Sequence, residues 1–359
     1  MTASQAQYNS PDMAKDLAEQ IHNMAIPATF MEVCGTHTMS IYKHGIRSLL
    51  PDAISLRSGP GCPVCVTPQG EIDAVMELAQ NPENIIATFG DLLRVPGKNG
   101  SLLEMRAKGA DIRMVYSSED ALTLATANPD KEVIFIGIGF ETTAPASALT
   151  LLQAKKGGVK NFSVLSLHKR TPPALDAVMR GAEDRIQGLI LPGHVSVIIG
   201  EEGFRDTVNA RSIPAVVTGF EPVDILGATL LLTQMVKEKR PELVNLYDRA
   251  VRPEGNPKAL AMLNEAFDTT PSTWRGIGEI PASGLSLKPE LEAFDAIKKF
   301  DLTIEPTETP KGCRCGDILT ASLEPNACPL FGTTCTPTHP VGPCMVSTEG
   351  SCAAAAKYG

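Results

Sequence analysis

Between about residue 28 and residue 239 the chain alternates short apolar runs with stretches whose apolar positions recur every three to four residues. The first pattern reads as buried strands and the second as amphipathic helices. Strands are predicted at ATFMEVC (28–34), AISLRSG (53–59), NIIATFG (84–90), DIRMVYS (111–117), EVIFIGIGF (132–140), NFSVLSLH (161–168), GLILPGH (188–194) and IPAVVTGF (213–220). Helices are predicted at THTMSIYKHGI (36–46), 71–80, 101–109, 143–156, 171–184, after His194, and at 224–239. An earlier amphipathic helix is expected over 11–25, with Pro11 at its first position and Leu17, Ile21 and Met24 on one face. The run at 132–140 lacks polar alternation, as a central strand covered on both faces would.

Strands alternating with helices imply βαβ units and mainly parallel sheets. Gly-Phe-Glu ends two of the apolar strands, at 139–141 and 219–221. The expected class is therefore α/β: two Rossmann-like parallel-sheet domains, with boundaries at 26–118 and 119–238, after an N-terminal helical segment over 1–25. Beyond 240 the pattern loosens. Residues 239–312 read as a helical and linker region containing ASGLSLKP (282–289) and IEPTETPKG (304–312). Residues 313–359 form a cysteine-, proline- and glycine-rich tail that cannot fold on apolar burial alone, so a metal centre is its expected organiser.

Composition narrows the function classes. Of 359 residues, 43% are hydrophobic and 20% charged, which suits a globular protein. A net charge of −9 argues against nucleic acid as a partner. No run of apolar residues is long enough to span a membrane. The N-terminal MTASQAQYNSPDM lacks the basic and apolar regions of a secretory signal, so a cytoplasmic protein is expected. Thiols stay reduced there, and nine cysteines then read as metal ligands or redox groups before structural disulfides.

Six of those cysteines, Cys313, Cys315, Cys328, Cys335, Cys344 and Cys352, crowd into the tail. Cys313, Cys328, Cys335 and Cys352 have the spacing C-x14-C-x6-C-x16-C. Four thiolates hold a tetrahedral zinc or a four-iron cluster. Zinc usually takes close C-x2-C knuckles, and the tail has none. Wide spacing with adjacent Pro and Gly favours an iron–sulfur cluster. Cys315 and Cys344 are then left as a thiol pair near it, unless one of them is a ligand instead. His339 is a further candidate ligand, but a weak one alone.

Gly59-Pro60-Gly61-Cys62-Pro63-Val64-Cys65 places a C-x2-C at a strand-to-helix turn, where a thiol is activated for exchange or metal binding. The alternative is two buried structural thiols. Cys34 ends a strand, and ligand sites in open parallel sheets collect at strand carboxyl ends. His37, three residues on, is a candidate base or hydrogen-bonding group for a species bound to that sulfur. Glu141, in Phe140-Glu141-Thr142-Thr143, and His194, in Pro192-Gly193-His194, repeat the strand-end placement and are expected to line the cleft. No GxxxxGK[ST] is present, Gly137-Ile138-Gly139 lacks the third glycine of a dinucleotide fingerprint, and no GxSxG occurs.

In order along the chain, MEVCGTHT, SGPGCPVC, GFETTAP, LPGHVSVI and CRCGDIL…CPLFGTTCTP…GPCMVSTEGSC resemble the motifs of the HypD family of hydrogenase maturation factors. The match runs over nearly the whole chain. It implies two related α/β domains facing a cleft and a third region carrying a [4Fe-4S] cluster on Cys313, Cys328, Cys335 and Cys352. Cys315 and Cys344 would be the redox pair beside that cluster. The family's role is assembly of the Fe(CN)2CO unit of nickel–iron hydrogenases. By resemblance, Cys34 supplies a thiolate to the transient iron carrying CN and CO ligands, held between this chain and a HypC-type small chaperone. HypE delivers the cyanide, and electrons pass from the cluster through Cys315/Cys344 to Cys62/Cys65. The competing reading is a stand-alone iron–sulfur disulfide oxidoreductase, and a blander one is a zinc-stabilised α/β protein.

Overall fold

The computed structural model describes residues 8–24, 26–306 and 309–359. The helix expected over 11–25 is Pro11–Met24; the rest of the 1–25 segment, residues 1–7 and 25, lies outside the described residues, although Tyr8–Ser10 are described.

Nine strands pair in parallel: β1 (Ala28–Glu32), β2 (Ile54–Ser58), β3 (Asn84–Thr88), β4 (Ile112–Met114), β5 (Glu132–Gly139), β6 (Phe162–His168), β7 (Gly188–Pro192), β8 (Ala215–Thr218) and β9 (Leu243–Asn245). They form two sheets, in the orders β2-β1-β7-β8-β9 and β4-β3-β5-β6. The apolar run at 132–140 is the central β5, buried from Val133 to Gly139 and paired on both edges. Helices cover both faces, which is why such strands carry no polar alternation.

The sheets do not divide at residue 118. Strands from 28–58 pair with strands from 188–245, and the second sheet is built from 84–168 alone. The chain starts one sheet, leaves to complete the other, and returns. Parallel pairing joins strands that are distant in sequence, so local periodicity carries no information about which sheet a strand enters.

Three further elements escape the periodicity. Helix Ser118–Ala127 is short and weakly amphipathic, and the Ser117–Asp120 capping box starts it. Helix Pro257–Ala266 begins at Asn256, whose side chain accepts from Lys258 and Ala259 N–H. An antiparallel hairpin follows, β10 (Phe267–Trp274) and β11 (Gly278–Leu287), with its register broken at Pro271. Its Ser, Thr, Pro and Gly content hides it among loop signals.

Helix Pro11–Met24 buries Ala14, Ala18 and Ile21 and packs on helix Pro222–Glu238 of the first sheet. The tail contributes the short helix Cys315–Leu319 and the terminal helix Ser351–Tyr358, which packs on Gly35–Lys43, the helix that follows Cys34. Among the described residues no helix is long and apolar enough to cross a membrane.

Candidate functional site

In each sheet the strand order reverses direction once, between β1 and β7 in the first and between β3 and β5 in the second. Loops leave such a reversal in opposite directions and open a crevice at the strand carboxyl ends. Here the two crevices face one another across a cleft of about 480 Å³. Cys34, after β1, and His194, after β7, come from one side. Asp91, after β3, and Phe140, Thr142 and Thr143, after β5, come from the other. Ser347 and Glu349 of the tail close an edge.

Cys34 caps the N-terminus of helix Gly35–Lys43 with extended backbone and is 8% exposed. Burial pushes its thiol pKa up to about 12, with the carboxylates of Glu349 and Glu32 adding to the rise. Glu32 lies directly behind it. Its carboxylate accepts the Cys34 N–H at 3.0 Å and the Thr38 hydroxyl. Burial raises Glu32 to a pKa of about 8. The charged groups acting on this sulfur, Glu349 and Glu32, are carboxylates.

The C-x2-C loop lies against this position. Gly35 N–H donates to Gly61 O at 3.0 Å, and a Cβ on Gly61 would strike the backbone of Cys34. Cys62 caps the four-residue helix Pro63–Val66, accepts the Cys65 N–H at 3.1 Å and is joined to Cys65 by a disulfide. Both are buried.

The six tail cysteines line one small chamber with Ile318, Leu330, Phe331 and Met345. Among the described residues, no side chain with an oxygen or nitrogen ligand lines it. The space between them is about 20 Å³, room for about one water. Among the described residues no three Cys, His, Asp or Glu side chains stand grouped as ligands of a single metal ion. Cys335 Sγ accepts the Val341 N–H at 3.3 Å, and a Cβ on Gly342 would lie 2.8 Å from Cys313 Sγ, so the loop backbone presses directly on the sulfurs. Cys315 and Cys344 are buried with their sulfurs 2.7 Å apart. Cys315 Sγ is 4.0 Å from Cys65 O, which sets the tail pair beside the disulfide.

Three expected residues lie elsewhere or act differently. Glu141 does not line the cleft. It turns to the opposite side of the β5 end and accepts both the Thr171 N–H and hydroxyl at 2.8 Å, capping helix Thr171–Met179. Phe140 and Thr142 face the cleft in its place, because neighbouring residues leaving a strand point to opposite sides. His37 is fully buried and lies outside the cleft lining. Its Nε2 donates to Gly219 O at 2.8 Å, its Nδ1 has no partner among the described residues, and burial lowers its pKa to about 4. Phe220 lies against both histidines, tilted on His37 at 4.8 Å and stacked on His194 at 3.9 Å. His194 does line the cleft, and partial burial lowers its pKa. His339 is exposed, and its ring Nδ1 bonds its neighbour Thr338.

Asp91 and Glu349 were not singled out from the sequence. Asp91 Oδ2 accepts from Ser347 Oγ, Thr348 N and Thr348 Oγ1 at 2.9 to 3.0 Å. Glu349 accepts the Thr36 hydroxyl at 3.1 Å and packs on Gly35, where a Cβ would collide with it. The segment 347–349, between Cys344 and Cys352, thus ties the tail to both sheets at the cleft. An acidic residue in a loop carries no periodic signal; only its placement marks it.

The sequence model of the HypD family, described as the Hydrogenase formation hypA family, matches residues 12–359. The hydrogenase maturation factor HypD of Rhizobium leguminosarum bv. viciae is 46% identical over 364 aligned residues, covering 98% of this chain and 94% of the relative. That of Cupriavidus necator is 43% identical, covering 98% and 96%. That of Escherichia coli K12 is 42% identical, covering 98% and 97%. With its motifs gathered on one cleft and one thiol chamber, the chain belongs to the HypD family of hydrogenase maturation factors.

Proposed function

We propose that this chain is a cytoplasmic, redox-active scaffold on which the Fe(CN)2CO unit of a nickel–iron hydrogenase is assembled, together with a HypC-type small chaperone and HypE. The observation that carries the reading is the position of Cys34: one buried sulfur at two facing sheet reversals, with two cysteine pairs leading from it to the tail chamber.

Cys34 is the thiolate for the cargo iron, and Asp91, His194 and Glu349 line the space that the cargo occupies. Cys313, Cys328, Cys335 and Cys352 are the ligands of a [4Fe-4S] cluster, a group that supplies electrons one at a time. The all-sulfur chamber with an apolar shell suits it by donor chemistry. The relay itself is dithiol–disulfide exchange. Cys315 and Cys344 lose two electrons and two protons as their S–S bond forms. The Cys62–Cys65 bond breaks and takes up both, leaving two thiols beside Cys34. The same relay would serve a stand-alone disulfide oxidoreductase, but that activity needs no closed cleft around a ninth cysteine.

The test compares anaerobically purified wild type with Cys34→Ala and Cys328→Ala. Cys34→Ala should keep cluster iron and its visible absorption while losing the infrared bands of bound CN and CO. Cys328→Ala should lose the cluster iron. Wild-type infrared bands in Cys34→Ala would sink the cargo assignment, and zinc in place of iron in the wild type would remove the electron relay.

A further inference from the structure

The turn of the β10–β11 hairpin carries a cation that the relay described above does not use. Arg275 is 3% exposed. Its backbone N–H donates to Val66 O and its Nε to Thr67 O, both at 2.8 Å, and its Nη1 reaches Gln69 Oε1 at 3.4 Å. These acceptors all belong to the segment leaving the Cys62–Cys65 disulfide. Nη2 is buried with no hydrogen-bond partner among the described residues.

The other side of the turn meets the tail. Gly276 and Gly316 pack so closely that a Cβ on either would strike the other's backbone. Gly316 follows Cys315, whose sulfur lies 4.0 Å from Cys65 O. The Arg275 turn is therefore packed between the segment leaving the Cys62–Cys65 disulfide and the Gly316 backbone next to Cys315, and the guanidinium charge acts on the Cys315–Cys344 pair. Glu71, whose carboxylate also feels that charge, is already held by Lys169 Nζ at 3.1 Å.

Burying a guanidinium with an unpaired N–H costs several kcal/mol unless negative charge meets it. Neutral thiols and a disulfide provide none. A cluster on four thiolates is anionic, and its charge grows by one on reduction.

We propose that Arg275 is a positioning residue of the electron relay, its buried guanidinium offsetting the negative charge of the reduced tail centre and so setting the centre's reduction potential. The inference rests on the cluster reading above. Removing the cation makes the electron-rich form less stable, so the midpoint potential moves to more negative values. A merely structural strut would leave it in place.

The experiment is a redox titration of the anaerobically purified full chain, followed by electron paramagnetic resonance, in wild type, Arg275→Gln, Arg275→Lys and Gln69→Glu. Iron content and circular dichroism are measured on each. Arg275→Gln should titrate at a more negative potential, and Arg275→Lys should return towards the wild-type value. Gln69→Glu keeps the arginine but neutralises it at Nη1, and should shift the potential in the same direction; it decides the question if Arg275→Gln does not fold. Iron-loaded variants with the wild-type potential would overturn the role of Arg275 and leave the cluster standing. A wild type without iron would overturn the cluster reading and this inference with it.

Discussion

The parallel sheets and the cysteine-rich tail are ordered by different means. In the sheets, β5, β6 and β7 are buried almost end to end and pack under helices. Burial at roughly 25 cal/mol per Å² supports such a core without help. The tail has two short helices and a few tight turns. Its buried residues include four of the cysteines, Cys315, Cys335, Cys344 and Cys352, with Ile318, Leu319, Met345 and Val346. What holds it in place is docking: Asp91 grips the 347–348 segment, Gly35 seats Glu349, and the hairpin turn meets Gly316. A region with so little secondary structure of its own, docked on the sheets through a few such contacts and a small apolar seam, can be loosened without unfolding the rest. That suits a part whose thiols must change state beside a rigid cleft.

The contrast can be broken from either side. The largest effect is expected in the sheets. Lys169 Nζ is buried and bonds Glu71, Ser272 Oγ and Thr273 O. Lys169→Met would leave the Glu71 carboxylate buried without its cation, costing about 3–5 kcal/mol. Urea unfolding should show the whole chain destabilised; a loss confined to the tail would contradict the contrast. Asp91→Ala removes three hydrogen bonds to one carboxylate oxygen. Part-exposed, they amount together to about 2–3 kcal/mol of tail docking. Hydrogen exchange should rise at 346–350 and stay low in β5 and β6, and uniform protection would sink the latch.

A smaller effect sharpens the cleft. Gly61→Ala would drive a methyl group into the Cys34 backbone, an overpacking cost of about 1–3 kcal/mol. The substitution should also reduce iron retained at Cys34, and unchanged retention would mean that the loops tolerate the shift. The smallest effect is on pH. His168 is buried, and burial lowers its pKa to about 3 from the ordinary 6.5. Between those values the unfolded chain binds a proton that the folded chain refuses. Stability present above pH 6.5 is then lost as pH falls towards 3, by at most ~1.4 kcal/mol per pH unit from this group. His168→Gln should flatten the stability slope between pH 7 and pH 5 by that amount, and equal slopes would show that the ring is charged when folded.

Much of the site was legible because its chemistry is carried by rare residue types at recognisable turns. Cys34 and the Cys62–Cys65 pair sit where strand ends and a Pro-Gly loop place them, and the tail thiols do share one chamber. The misreadings have a common origin. Glu141 and His37 occupy strand-end and helix-start positions like those of true cleft residues, and only the direction of the side chain separates them. Asp91, in a short 3₁₀ turn, and Glu349 and Arg275, in tight turns, are ordinary charged residues with nothing local to set them apart.

By itself, the order of apolar runs determined that this is an α/β protein with parallel sheets, and the cysteine spacing determined where thiol chemistry could occur. Both are local properties: strand propensity and burial follow from a few neighbouring residues, and ligand types from composition. Only the tertiary structure decided that 28–58 pairs with 188–245, that the two sheet reversals face each other, and that segment 347–349 closes the cleft. Those are matters of contact between residues hundreds of positions apart, settled by which packing of the whole chain buries the most apolar surface while leaving the fewest polar groups unpaired.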